Sequence, residues 1–244
     1  MTAESAGIDL GRRLREAGET ELETLVDGHF PAIDPQVARQ VFRNPFLTRA
    51  VIERLAASPT LLSAYEVRME IARHPRSPQI LALRLLPGLH WPDLLRIGLD
   101  TRLHPIVRRS AETRIAERMP GFAVGEKIFL ARSGSQALLA QLRSDPTPRV
   151  IEALLENPRL SEGLLMPLVT SETTSPTVLG IVAAHPRWGV RYPLRLALCR
   201  NPRTPLERVL SHLPLLKKLD LESIASDARL KLPVRRRATL LTRG

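Results

Sequence analysis

The chain is poor in aromatic residues, which make up 4% of its 244 positions, and it holds one cysteine, Cys199. A single cysteine excludes an intramolecular disulfide and any cysteine-ligated zinc or iron–sulfur site. Cys199 lies in the apolar run 194–199, where a small buried thiol is expected rather than a nucleophile. With a hydrophobic content of 43%, the scarcity of aromatics implies a core of Leu, Ala, Val and Ile, suited to closely packed helices. No stretch approaches 18 uncharged apolar residues, so no membrane-spanning helix is expected. Residues 1–10 carry Glu4 and Asp9 and no apolar run; they do not read as a secretory leader, and a cytoplasmic location is expected. Sustained period-two alternation is absent as well, so strands are not expected.

The signatures of catalysis are missing too. His29, His74, His90, His104, His185 and His212 are scattered without metal-ligand spacing. There is neither a glycine-rich phosphate loop nor a nucleophile elbow. The pair Glu66/Glu70, four residues apart, reads as a solvated helix face. No catalytic, cofactor-binding or metal residue is assigned.

What the chain does contain is charge and repetition. The formal charge is +11, and 32 of the 36 basic residues are arginine, leaving Lys127, Lys217, Lys218 and Lys231. Such a balance favours nucleic acid, acidic proteins or anionic membrane surfaces without choosing among them, and the coding bias of a GC-rich genome would give the same excess. Residues 51–111 recur at 178–238 with a shift of 127 and no gap, and more than a third of those positions are identical. They include Tyr65/Tyr192, Arg68/Arg195, Arg73/Arg200, Pro75/Pro202, Arg76/Arg203, Asp100/Asp227, Leu103/Leu230 and Arg108-Arg109/Arg235-Arg236. Self-similarity of this kind marks a repeat architecture. The stretch 112–145 between the copies is degenerate, with Gly121, Gly125 and Gly134 making 120–135 the expected point of weakness.

Prolines punctuate the repeat. Asp34-Pro35, Ser58-Pro59, Ser77-Pro78, Thr147-Pro148, Ser175-Pro176 and Thr204-Pro205 read as a capping residue followed by the first helical position, where proline loses no hydrogen bond. Thr204 and Glu207 have capping-box spacing. Asn44-Pro45, His74-Pro75, Asn157-Pro158, His185-Pro186 and Asn201-Pro202 read as helix ends, because the residue before proline is pushed out of the helical region. Short helices of roughly 8–12 residues follow from this spacing. Leu10, Leu14, Leu22 and Leu25 place one or two amphipathic helices in residues 1–30, an N-terminal cap to a repeat domain over 31–244.

The phrase Leu194–Pro205, with Leu206, Val209 and Leu210 after it, resembles the unit of leucine-rich-repeat variant proteins. Ile97–Ala111 and Ile224–Ala238 look like the link into a next unit. The resemblance covers roughly 35–244 and extends to HEAT-like proteins. It implies an all-α fold, a right-handed α-solenoid of short stacked helices with room for 3₁₀ segments, and a habit of binding macromolecules. One member type carries a cysteine-ligated iron–sulfur cluster, for which this chain lacks the ligands.

The candidate partner-binding residues are Arg68, Arg76, Arg108, Arg109, Arg195, Arg203, Arg235, Arg236, Arg237, Trp91 and Trp188. Regularly spaced cations could meet an acidic partner strip or successive phosphates. Against this, Asp100 and Asp227 recur with the arginines and could pair with an arginine of the following helix, since packing and capping repeat with the unit whereas a ligand need not. The tryptophans do not correspond: the register partner of Trp91 is Lys218 and that of Trp188 is Leu61. Trp91-Pro92-Asp93 is similar to the Trp and Asp pairing of HEAT-like DNA-repair glycosylases, though nothing wider matches. The expected function is a non-enzymatic scaffold binding a protein partner, with an acidic surface favoured. The alternative is a nucleic-acid-binding solenoid or a glycosylase, and peripheral attachment to anionic membrane is a distant third.

Overall fold

The protein is described from a computed structural model covering residues 3–243. Met1 and Thr2, the start of the stretch weighed as a leader, and Gly244 lie outside the described residues. Among the described residues there are eighteen α-helices, four 3₁₀ segments and no strand. No helix among them is long and apolar enough to cross a membrane. The chain divides into two compact units, Met1–Arg118 and Met119–Gly244.

The first unit comprises α1 (Ala3–Glu16), α2 (Glu19–His29), α3 (Pro35–Val41), α4 (Arg49–Ala56), α5 (Pro59–Ser63), α6 (Tyr65–Arg73), α7 (Gln79–Leu85), α8 (Trp91–Leu99) and α9 (Pro105–Arg118), with 3₁₀ segments at Phe30–Ala32 and Leu86–Gly88. Leu10, Leu14, Leu22 and Leu25 are all buried, which makes α1 and α2 the two amphipathic helices the spacing implied. Alternate helices pack together, α1 on α3, α2 on α4, α6 on α8 and α7 on α9, as do α3 and α6 and the consecutive pairs α6 with α7 and α8 with α9.

The second unit comprises α10 (Val124–Ser133), α11 (Gln136–Leu142), α12 (Pro148–Leu155), α13 (Glu162–Thr170), α14 (Pro176–Ala184), α15 (Tyr192–Arg200), α16 (Leu206–His212), α17 (Lys218–Ser226) and α18 (Leu232–Arg243), with 3₁₀ segments at Met119–Gly121 and Leu213–Leu215. Two rows result. One is α10, α12, α14, α16 and α18, each touching the next, and the other is α11, α13, α15 and α17. Helices this short are marginal alone, so burial between rows must hold them. In α12, Val150, Ile151, Leu154 and Leu155 are fully buried, a gross stabilisation of roughly 6–12 kcal/mol before the ordering entropy is set against it.

The 127-residue echo is a structural one. Under that shift α6 falls on α15, α7 on α16, the 3₁₀ segment 86–88 on 213–215, and α8 on α17, all with the same first and last positions. The starts of α9 and α18 also coincide. Leu103 and Leu230, the link leucines, are both 5% exposed.

Helix ends follow one device. At each proline-marked end a side chain accepts the backbone N–H two residues on: Asn44 from Phe46 at 2.7 Å, His74 Nδ1 from Arg76 at 3.2 Å, Asn157 from Arg159 at 2.8 Å, His185 Nδ1 from Arg187 at 3.2 Å and Asn201 from Arg203 at 3.0 Å. The buried asparagines do more. Their Nδ2 groups donate to two carbonyls of an earlier helix end: Leu14 and Ala17 for Asn44, Ala131 and Gly134 for Asn157, Val169 and Ser171 for Asn201. Carbonyls at helix C-termini lack intrahelical partners, and one asparagine satisfies two of them while tying successive helices together. Gly134 fits this arrangement because a Cβ there would lie 2.6 Å from the Leu130 carbonyl oxygen.

The proline-marked helix starts do not all behave alike. Asp34, Ser58 and Ser175 accept the amides of Val37, Leu61 and Val178, as capping requires. The Thr147 side chain, expected to cap α12, accepts no amide of that helix, and Ser77 and Thr204 do not cap either. Their hydroxyls donate backwards to the carbonyls of Ile71 and Leu198, and α7 and α16 start one residue beyond the proline. The capping box expected at Thr204 is therefore not formed. A hydroxyl six residues past a helix carbonyl reaches the orphan acceptor of the ending helix more readily than the amides of the starting one.

Candidate functional site

The duplicated arginines sort by what their guanidinium groups touch. Arg68 donates through Nη1 to the carbonyls of Leu62 and Ser63 at 2.7 and 2.9 Å, and Arg195 through Nη2 to Val190 at 3.1 Å. Arg76 donates to the Leu47 carbonyl at 2.7 Å and Arg203 to that of Glu172 at 3.4 Å. Arg235 Nε reaches the Ala225 carbonyl at 3.3 Å. These five hold loops and helix ends, as repeated packing requires. Arg108 is half-buried with an Nε that has no hydrogen-bond partner.

Asp100 and Asp227 do pair with arginine, but not one of the following helix. Each accepts a two-pronged bond from the arginine two residues on, Arg102 or Arg229, and also caps that residue's amide. Those guanidinium bonds hold both carboxyls below their ordinary value of 3.8. The turn is too tight for a longer reach to compete, so the pair closes within the link.

A second duplicated contact was not foreseen. Tyr65 donates its hydroxyl to Asp93 at 2.5 Å and accepts the His90 amide at 3.0 Å; Tyr192 does the same with Asp220 and Lys217, at the same distances. Burial, then the carboxylate bond, raises both phenol pKa values. Asp93 and Asp220 are identical in register, and that was the available signal.

Trp188 is a core residue. It is 1% exposed and donates Nε1–H to the Leu155 carbonyl at 2.9 Å, while Arg187 and Arg191 lie 4.4 and 5.2 Å from its ring. Its register partner Leu61 is likewise buried at 2%, so the tryptophan fills a leucine position and presents no ring for stacking. Trp91, at the first position of α8, is half-buried. Cys199 is fully buried, which pushes its thiol up to about 12.

The outward cations are Arg109 on α9 and Arg236 and Arg237 on α18. All three are exposed, and among the described residues their side chains enter no hydrogen bond or ion pair. α9 offsets its charge with Glu112 and Glu117, the latter bonded to Arg114 at 3.2 Å. α18 carries Arg235, Arg236, Arg237 and Arg243 and no acidic residue.

Arginines also gather in a cleft of the first unit, of about 380 Å³, lined by Arg43, Arg73, Arg76 and Arg102 together with Asn44, Glu70 and His74. Burial, then the charges of Arg76 and Arg102, depresses the His74 pKa below its ordinary 6.5. Because Nδ1 accepts the Arg76 amide, the neutral ring carries its proton on Nε2. Among the described residues no cluster of His, Cys, Asp or Glu could hold a metal ion. Comparison with family models, with curated proteins and with solved structures yields no match.

Proposed function

We propose that the chain is a non-enzymatic α-solenoid scaffold that binds the acidic surface of a protein partner. The observation that carries this reading is the outward face of α18, where Arg236, Arg237 and Arg243 are exposed and the helix has no carboxylate to neutralise them. Helix packing in two rows and the recurrence of helix bounds at 127 residues support the stacked-unit architecture. Aromatic platforms for bases are poor: Trp188 is buried, and Tyr65 and Tyr192 have their hydroxyls engaged by aspartates. Stacking of that kind carries much of the affinity for single strands, so a protein surface is favoured over nucleic acid.

The nucleic-acid reading retains the net charge of +11. Retention on immobilised duplex DNA and on an immobilised acidic protein, each across a salt series, separates the two. A nucleic-acid binder loses affinity steeply as salt rises, in proportion to the phosphates neutralised. Weak retention on DNA, with binding to acidic protein lost on Arg236→Glu with Arg237→Glu, is the expected result. Strong DNA retention that the double variant abolishes would overturn it.

A further inference from the structure

The two copies of the repeat differ where the arginine cleft lies: Glu70 adds a carboxylate where the second copy has Ala197, but three other differences leave the first copy more cationic. In the second copy Arg229 bonds Asp227 through Nε and Nη2 and gives its remaining Nη1 to the Glu172 carboxylate at 3.0 Å. Arg102, its counterpart, bonds Asp100 through the same two nitrogens, and its Nη1 has no partner among the described residues. Counting back from the equivalent helix caps Thr48 and Ser175, the position of Glu172 is held in the first copy by Pro45, and that of Thr170 by Arg43.

The third difference frees Arg73. In the second copy Arg200 donates to Asp220 at 3.1 Å and to Ser223 at 3.3 Å. In the first copy the residue matching Ser223 is Arg96, which takes Asp93 for itself at 2.9 Å. Arg73 is left without an ion pair among the described residues. The cleft thus sets four arginines against two carboxylates, Glu70 and Asp100, whereas the matching place in the second copy sets Arg200, Arg203 and Arg229 against Glu172, Asp220 and Asp227.

We infer that the cleft formed by Arg43, Arg73, Arg76 and Arg102 receives a glutamate or aspartate side chain from an acidic segment of the partner. The partner's carboxylate would take the place that Glu172 fills from within the chain in the second copy. The inference rests on the acidic-partner reading and adds the contact point. Arginine suits the role because its planar fork gives two parallel bonds to a carboxylate. Arg76 anchors the cleft through its bond to Leu47, leaving Arg43, Arg73 and the free edge of Arg102 to meet the ligand.

The test uses the full chain and a fluorescein-labelled hexaglutamate peptide, followed by anisotropy at low salt, where surface charges are little screened. Pro45→Glu transplants the carboxylate of the second copy into the cleft and is expected to weaken binding about tenfold, as loss of a charge-assisted bond pair would. Arg43→Thr with Arg73→Ala is expected to weaken it by at least as much, with an unchanged far-ultraviolet dichroism spectrum in each variant. Glu172→Gln, which opens the second copy, is expected to add a second binding event in calorimetry. Unchanged affinity in both cleft variants, with loss only on Arg236→Ala and Arg237→Ala, would overturn the cleft while sparing the acidic-partner reading. Absence of peptide binding to every form at low salt would overturn both.

Discussion

Asn201→Ala removes a buried side chain that ties two helix ends of the second unit together. Asn201 is 4% exposed and makes three hydrogen bonds: Nδ2 to the carbonyls of Val169 and Ser171 at 2.8 and 2.9 Å, and Oδ1 from the Arg203 amide at 3.0 Å. Alanine would leave the Val169 carbonyl and the Arg203 amide unmatched and the Ser171 carbonyl with only the long bond from the Thr174 amide, at 3.4 Å. At about 1 kcal/mol net for each bond, the loss is about 3 kcal/mol, and more if water cannot reach the Val169 carbonyl. His74, its register partner, makes one bond from that position, to the Arg76 amide at 3.2 Å, so His74→Ala should cost only about 1 kcal/mol. Urea unfolding followed by tryptophan fluorescence reads the two separately. Trp188 is buried in the second unit and reports on it once Trp91 is changed to Phe; Trp91 reports on the first in a Trp188→Phe background. A cost below about 1 kcal/mol for Asn201→Ala, or equal costs for the two variants, would refute the claim that asparagine ties successive helices through their orphan carbonyls.

The link leucines give a companion test: Leu103→Ala and Leu230→Ala, both 5% exposed, should each cost about 3 kcal/mol, and a difference above about 2 kcal/mol in urea unfolding would break the equivalence of the copies. Cys199, with its thiol pushed up to about 12 by burial, should resist a thiol reagent at mildly alkaline pH in the folded chain and react once unfolded; rapid labelling of the native protein would contradict the burial. The histidines set a pH dependence. Burial foremost holds the His74 and His212 pKa values below the ordinary 6.5 in the folded chain, so the unfolded chain binds more protons as pH falls through that value. Their contribution is present in full above about pH 6.5 and is lost as pH falls toward the folded values. The urea midpoint should drop between about pH 7.5 and pH 5, and less so in His74→Asn; a midpoint that does not move would exclude the effect. Asp100 and Asp227 do not enter this window, because their lowered values lie beneath 3.8.

The fold was legible where the sequence carries period and punctuation. The shift of 127 residues named the duplicated helices, and the proline pairs marked their ends, because a proline restricts both its own φ and the residue before it. What the pattern could not resolve was the direction of a hydroxyl. Ser58 and Ser77 both precede proline, yet Ser58 caps forward and Ser77 donates backward, a choice set by whether an unmatched carbonyl stands within reach. Trp188 shows a different limit. As an isolated tryptophan it suggested a binding platform, but its match to Leu61 already placed it in the core, and only its need for an acceptor at Leu155 was hidden.

The arginines required the structure most, because composition counts charge and not partners. Arg68, Arg76, Arg195, Arg203 and Arg235 are spent on backbone carbonyls, whereas Arg109, Arg236 and Arg237 are spent on nothing among the described residues. Identity between copies therefore does not by itself tell a packing residue from a free one: Arg68/Arg195 and Arg76/Arg203 repeat and are held by backbone carbonyls, whereas Arg109/Arg236 repeat and are not. Arg43, Pro45 and Arg96 do not repeat, and each departs from Thr170, Glu172 and Ser223 in the direction that leaves an arginine without its internal carboxylate. On the proposed reading, the second copy keeps its charges neutralised within the chain while the first leaves them for a ligand. Exchanging those three residues between the copies should move the acidic-peptide site from the first unit to the second, and a site that stayed in the first unit would refute the argument.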